Sequence, residues 1–177
     1  EAQQLATTPF LRTAVSEANR SYEGKDAKSI LEIIRDWQQR WGQRDTRSEF
    51  PLFVNRIVTN FLIRWHEIRK SDYVGILVTD GEGALVVSSI PQVDYSYTKT
   101  GWWQAVVKGG SRQPYVGEMT FEPAFGTHVV VVAAPIMDDQ HTGAFPGQRR
   151  IIRQVPLKHH ISRSVLHHFG LDLCERR

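Results

Sequence analysis

Eight residues between positions 94 and 128 carry most of the chemistry this chain can offer: Asp94, Tyr95, Tyr97, Trp102, Trp103, Tyr115, Phe121 and His128. Most of them are aromatic. Their ring faces attract planar groups and quaternary ammonium ions, and an aromatic hollow with a few polar groups is a common form of small-molecule site. Trp102 and Trp103 adjoin, so on a helix they point about 100° apart. One can then line a pocket while the other packs on a sheet; the competing reading makes both of them core anchors. His128 opens an apolar strand, where it either faces the pocket or is hydrogen-bonded at the strand end. These eight are the candidate ligand-binding residues for a small-molecule ligand of unknown identity. The chemistry is binding, without a bond made or broken.

Catalysis needs an acid, base or nucleophile with a partner. The chain holds no Gly-x-Ser-x-Gly, His-Glu-x-x-His or Gly-rich phosphate loop, so no catalytic residue is assigned. His159-His160 and His167-His168 invite a metal, but their spacing of seven to nine residues is not the four-residue step of zinc-binding helices. No metal ligand and no cofactor is assigned. Cys174 is the single cysteine and cannot form an internal disulfide. Asp80, in the Asp80-Gly81-Glu82-Gly83 segment, is read as shaping its turn by accepting nearby backbone N–H groups.

The elements that must position these residues follow from periodicity. Leu5, Leu11, Ala14, Val15 and Ala18 repeat at helical spacing, with Thr8-Pro9 as a start signal. Ile30, Leu31, Ile33, Ile34, Trp37 and Trp41 form a second stripe. Phe50, Phe53, Val54, Ile57, Val58, Phe61, Trp65 and Ile68 form a third, capped by Ser48. At Tyr73 the period becomes strand-like. Ile76–Thr79 and Ala84–Ser88 predict one hairpin, and Tyr115–Phe121 and His128–Pro135 a second. Between them lie an aromatic loop and a short helix over Trp102–Lys108, closed by Gly109-Gly110. A weak last strand is expected over Ile151–Val155, and a short helix around Ser164–Phe169.

Helices followed by hairpins give an α+β class. The expected form is an antiparallel sheet of about five strands with long N-terminal helices packed on one face and the aromatic loop on the other. Residues 1–70 form the helical segment, 71–156 the sheet lobe and 157–177 a tail or short helix of one domain. At 177 residues the chain has room for one real core. The net charge of +3 comes from the tail. Residues 1–140 carry 15 Lys and Arg against 17 Asp and Glu, and residues 141–177 carry 7 against 2. A nucleic-acid binder carries its basic face on the structural pattern, so no nucleic-acid partner is expected. The longest apolar run, Val129–Met137, falls far below the ~20 residues of a membrane helix. Starting at Glu1 without Met, the chain is read as a piece of something longer.

An ordered series of short motifs now lines up with a known family. Val78-Thr79-Asp80-Gly81-Glu82-Gly83 precedes a Val-Val-Ser-Ser strand. Asp94-Tyr95, Trp102-Trp103-Gln104, Tyr115-Val116-Gly117 and Ala134-Pro135-Ile136 follow in turn. Over residues 5–140 the chain resembles the Cache superfamily of PAS-like extracytoplasmic sensor domains. The resemblance implies a periplasmic module between two membrane helices of a bacterial receptor, with those helices outside this chain. The output would be a histidine kinase, chemoreceptor or diguanylate cyclase, and the long N-terminal helices would form a homodimer. It departs from the family in having Thr98-Lys99-Thr100-Gly101 where acids usually precede Trp-Trp, and a basic Gly147–Ile152 stretch near the end. The loop also lacks the Arg before an aromatic that marks amino-acid binders, so no amino acid is named as ligand. An alternative is a receptor module that dimerises without binding a ligand.

Overall fold

A computed structural model describes residues 2–41, 56–92, 94–107, 113–123, 125–137 and 149–156. The predicted Ser48 cap, the Phe50, Phe53 and Val54 part of the third stripe, the Gly109-Gly110 stop, the histidine pairs, the tail helix and Cys174 lie outside the described residues. The helices are α1 (Ala2–Ala6), α2 (Pro9–Arg20), α3 (Ala27–Trp41), α4 (Arg56–Ile68) and α5 (Gly101–Val107). The strands are β1 (Gly75–Thr79), β2 (Leu85–Ser88), β3 (Tyr115–Glu122), β4 (Thr127–Ile136) and β5 (Arg149–Pro156). The class is α+β, as the periodicity implies. Pro9 sits in the first turn of α2, where its missing N–H costs nothing.

The strands form one antiparallel sheet in the order β2-β1-β5-β4-β3. Both predicted hairpins are present, with Leu77 opposite Ser88 in the first and Thr120 opposite Val129 in the second. The strand with the weakest sequence signal, β5, lies between them and pairs with β1 on one side and β4 on the other.

Strand alternation gives the sheet two faces. Ile76, Val78, Val86, Val132, Ala134 and Ile136 share a buried cluster with Leu5, Leu11, Ala14, Val15 and Ala18 of α1 and α2 and with Val58 and Leu62 of α4. Leu77, Leu85 and Ala133 share the other cluster with Ile34 and Trp41 of α3, with Tyr95 and Tyr97, and with Trp102, Trp103 and Val106 of α5. The expectation that the long helices share one face is therefore corrected for α3. The aromatic ends of its stripe, Trp37 and Trp41, lie against Tyr95, with ring centroids 5.9 and 5.5 Å away. Aromatic pairs at such spacing add favourable packing beyond area burial. That contact draws α3 to the face that carries the aromatic loop.

Candidate functional site

Two residues at the end of α2 reach the turn between β1 and β2. The Asn19 Oδ1 accepts the Gly81 N–H at 3.1 Å, and the Tyr22 hydroxyl donates to Asp80 Oδ2 at 2.9 Å. Asp80 organises the turn as read from the sequence: its Oδ1 accepts the N–H groups of Glu82 and Ala84, both at 2.9 Å. Gly83 closes the turn at φ +81°, and a Cβ there would stand 2.9 Å from Trp103 Nε1. Only glycine meets both the left-handed backbone and the close approach.

Beside this turn lies a cavity of about 260 Å³. The end of α2 and the turn just after it supply Ala18, Ser21 and Tyr22, α3 supplies Ile33 and Trp37, and β2 supplies Leu85 and Val86. Tyr95 and the Asp80 carboxyl complete the wall. The lining is mostly apolar and aromatic, with Asp80 as its one acid. The loop that carries Tyr95 is held by Gln38 of α3, whose Oε1 accepts the N–H groups of Tyr95 at 2.8 Å and Ser96 at 2.7 Å. The Trp41 indole N–H reaches the Gln92 carbonyl at 3.2 Å. Thus α3 both walls the cavity and fixes the loop opposite.

The electrostatics centre on Asp80, which is 3% exposed. Burial pushes its carboxyl up to about 7, against the restraining hydrogen bonds from Ala84, Tyr22 and Glu82. Burial, and then the Asp80 charge, raise the hydroxyls of Tyr22 and Tyr95, so both stay phenols. Among the described residues the ion pairs are Lys28–Glu32, Arg40–Asp36 and Lys70–Glu67, and none involves Asp80. Among the described residues its donors are neutral and no ion pair reaches it.

Of the eight residues read from the sequence, Tyr95 lines this cavity. Tyr97, Trp102 and Trp103 are buried together in the adjoining cluster, and Tyr115 packs partly buried against it. The Tyr97 and Trp102 rings meet at a tilt of 45°, with centroids 5.9 Å apart. Asp94 is exposed and accepts Gln38 Nε2 at 3.2 Å. Phe121 and His128 lie elsewhere: both are exposed on the β3–β4 hairpin and meet edge to face at 5.3 Å. The buried cluster reaches that hairpin only at Tyr115, Val131 and Ala133, which leaves its far end uncovered. Sequence reasoning missed Tyr22, Gln38 and the wall role of Trp37 and Asp80. Trp37 read as helix stripe and Asp80 as turn, and each does that work as well. Tyr22 lies in a polar stretch with no periodic signal, and Gln38 is a polar residue of the second helical stripe whose partner the periodicity does not name.

Among the described residues no cluster of His, Cys, Asp or Glu could hold a metal ion, and no helix is long and apolar enough to cross a membrane. No family model matches the chain, and no curated protein does. Solved structures do. The ligand-binding domain of the Campylobacter jejuni chemoreceptor Tlp3, in complex with 4-methylisoleucine, is 12% identical with a TM-score of 0.45, covering 83% of this chain and 56% of its own. The sensor domain of the V. cholerae histidine kinase DctB is 11% identical with a TM-score of 0.42, covering 83% and 53%. The chain thus spans about half the length of these structures.

Proposed function

We propose that the chain is a PAS-like, Cache-type ligand-binding sensor domain from the extracytoplasmic part of a membrane receptor. Its output would be a histidine kinase, chemoreceptor or diguanylate cyclase. The observation that carries the reading is the cavity walled by Tyr22, Trp37 and Tyr95 with Asp80 buried at one end. A small molecule enters between α2, α3 and β2, and its occupancy selects one arrangement of those elements. The end of α2 belongs to the cavity wall, and Arg12 further up the same helix donates to the Met137 carbonyl just beyond β4 at 2.9 Å. Occupancy therefore biases the placement of α2 against the end of β4, and the N-terminal helix and the chain end would both connect to membrane helices.

The eight residues named from sequence stay candidates at different ranges: Tyr95 in the wall, and Tyr97, Trp102, Trp103 and Tyr115 as the packed layer supporting it. Asp94, Phe121 and His128 would act only from outside this cavity. The test is a metabolite panel followed by Trp fluorescence and thermal shift. A saturable response that is lost in Trp37→Ala or Tyr95→Leu, with the fold retained by circular dichroism, supports the reading. No response to any compound class counts against it.

A second reading, a dimerisation module, has its own observation. Phe10 on α2 and Ile57, Ile63 and Ile68 on α4 expose apolar side chains, Ile68 to 78%. A homodimer through these helices would cover them. Sedimentation equilibrium of wild type and Ile57→Asp/Ile68→Asp distinguishes a dimer lost on substitution from a monomer throughout. A dimer with no ligand response favours the module that does not bind.

A further inference from the structure

Resting on the ligand-site reading above, we propose that the occupant is a small primary or secondary amine, held as its ammonium by the Asp80 carboxylate and covered by Trp37 and Tyr95. A buried carboxylate is costly unless paired. The donors around Asp80 are the Tyr22 hydroxyl and the N–H groups of Glu82 and Ala84, all neutral. An ionised carboxyl has about four acceptor sites over its two oxygens. Oδ1 already takes two backbone N–H groups. Oδ2 takes only the Tyr22 hydroxyl, which leaves it an acceptor position, and Asp80 is one of the residues lining the cavity.

The wall supports the same sign of ligand. Among the described residues that line it there is no Lys, Arg or His. Arg40, paired with Asp36, lies over Trp37. Asp80 is the charged group of the wall itself, of like sign to an anionic compound. Trp37 already holds one cation, the Arg40 guanidinium 4.5 Å from its ring centroid, and the parts of Trp37 and Tyr95 that line the cavity suit another. A quaternary ammonium could use those faces but has no N–H to give Oδ2, so an amine with N–H fits better. At about 260 Å³ the space lies just under the range usual for small-molecule sites, which makes the body of the amine short.

Binding of an ammonium requires the ionised carboxyl. Facing Asp80 are Tyr22 from the end of α2, Tyr95 from the aromatic loop and Glu82 from its own turn. The residues that α3 and β2 add to the wall, Ile33, Trp37, Leu85 and Val86, do not titrate. Below neutrality the apo carboxyl keeps its proton and must release it to solvent when the cation enters. The apparent affinity for an amine therefore falls ~10-fold from pH 8 to pH 6.

The experiment titrates wild type with n-butylammonium, n-butanol and butyrate at pH 6 and pH 8, by calorimetry and Trp fluorescence. The expected result is saturable binding of n-butylammonium alone or foremost, ~10-fold weaker at the lower pH, and its loss in Asp80→Asn. Asparagine keeps the Oδ1 acceptor for both N–H groups, and circular dichroism checks its fold. If that variant does not fold, the wild-type pH profile decides. Binding of butanol or butyrate as tightly as the amine, or an amine affinity independent of pH, overturns the amine inference and leaves the cavity reading standing. Silence with all three probes also overturns it, and the metabolite panel then decides the site reading alone.

Discussion

The Tyr22 hydroxyl and Asp80 Oδ2 lie 2.9 Å apart although 58 residues separate them in sequence. That hydrogen bond joins the end of α2 to the turn between β1 and β2, and so closes one end of the cavity. Because its acceptor is buried and its donor is the one side chain that hydrogen-bonds it, it bears on both the charge of the site and the attachment of the helix.

Removing that donor should unsettle the ionised form most. Tyr22→Phe is expected to cost about 1.5–3 kcal/mol at pH 8, the usual worth of a hydrogen bond to a charged group. The cost should shrink at pH 5, where Asp80 carries its proton. Urea unfolding at both values checks this; an equal loss at each pH would mean the bond does not act on the carboxylate.

Asp80 also sets a pH dependence whose direction is opposite to that of most carboxylates. Its folded value of about 7 stands above the ordinary 3.8. Below 3.8 both folded and unfolded chains are protonated and the fold loses nothing. As pH rises toward 7 the unfolded chain gives up its proton first, so stability falls, by up to about 1.4 kcal/mol per pH unit, and levels off above. Buried His66, with Nε2 3.1 Å from the Tyr73 carbonyl, has its value lowered by burial and works the other way, losing stability as pH drops below 6.5. Unfolding curves of wild type and Asp80→Asn from pH 4 to pH 8 isolate the Asp80 part. The variant should gain on wild type as pH rises; parallel curves would show an ordinary carboxylate.

Gly83 tests the link between turn and tryptophan. Gly83→Ala should cost about 1–3 kcal/mol from the left-handed backbone, and more from the approach to Trp103 and Thr98. The Trp103 emission spectrum should shift with it. A neutral substitution would show that the turn relaxes freely.

Gln38→Ala should loosen the aromatic loop without unfolding α3. It strips the acceptor from the N–H groups of Tyr95 and Ser96, and unsatisfied buried donors cost about 1–3 kcal/mol. Amide exchange at those two residues should quicken while the β1–β2 ladder stays protected. Protection unchanged at both would remove Gln38 as the clamp.

Trp102 and Trp103 are each 8% exposed within the packed cluster. Truncation of either to Ala is expected to cost about 3–5 kcal/mol, as for other buried aromatics. Any weaker ligand response should then track lost stability, which chemical denaturation of each variant reports.

Period and turn chemistry are local properties, and they alone determined the helices Pro9–Arg20 and Ala27–Trp41, the two hairpins, and the role of Asp80 in its turn. They also singled out Tyr95, a residue of the wall. Three decisions belonged to the tertiary structure. The placement of β5 between β1 and β4 depends on pairing across long stretches of chain, which no local pattern encodes. The side of the sheet taken by α3 depends on which surface its Trp37 and Trp41 meet, since an apolar stripe specifies burial but not a partner. The cavity itself is assembled from Tyr22, Trp37, Asp80 and Tyr95. Each has an adequate local explanation, and only their convergence in space turns a turn-forming acid into a buried carboxyl on the wall of a cavity.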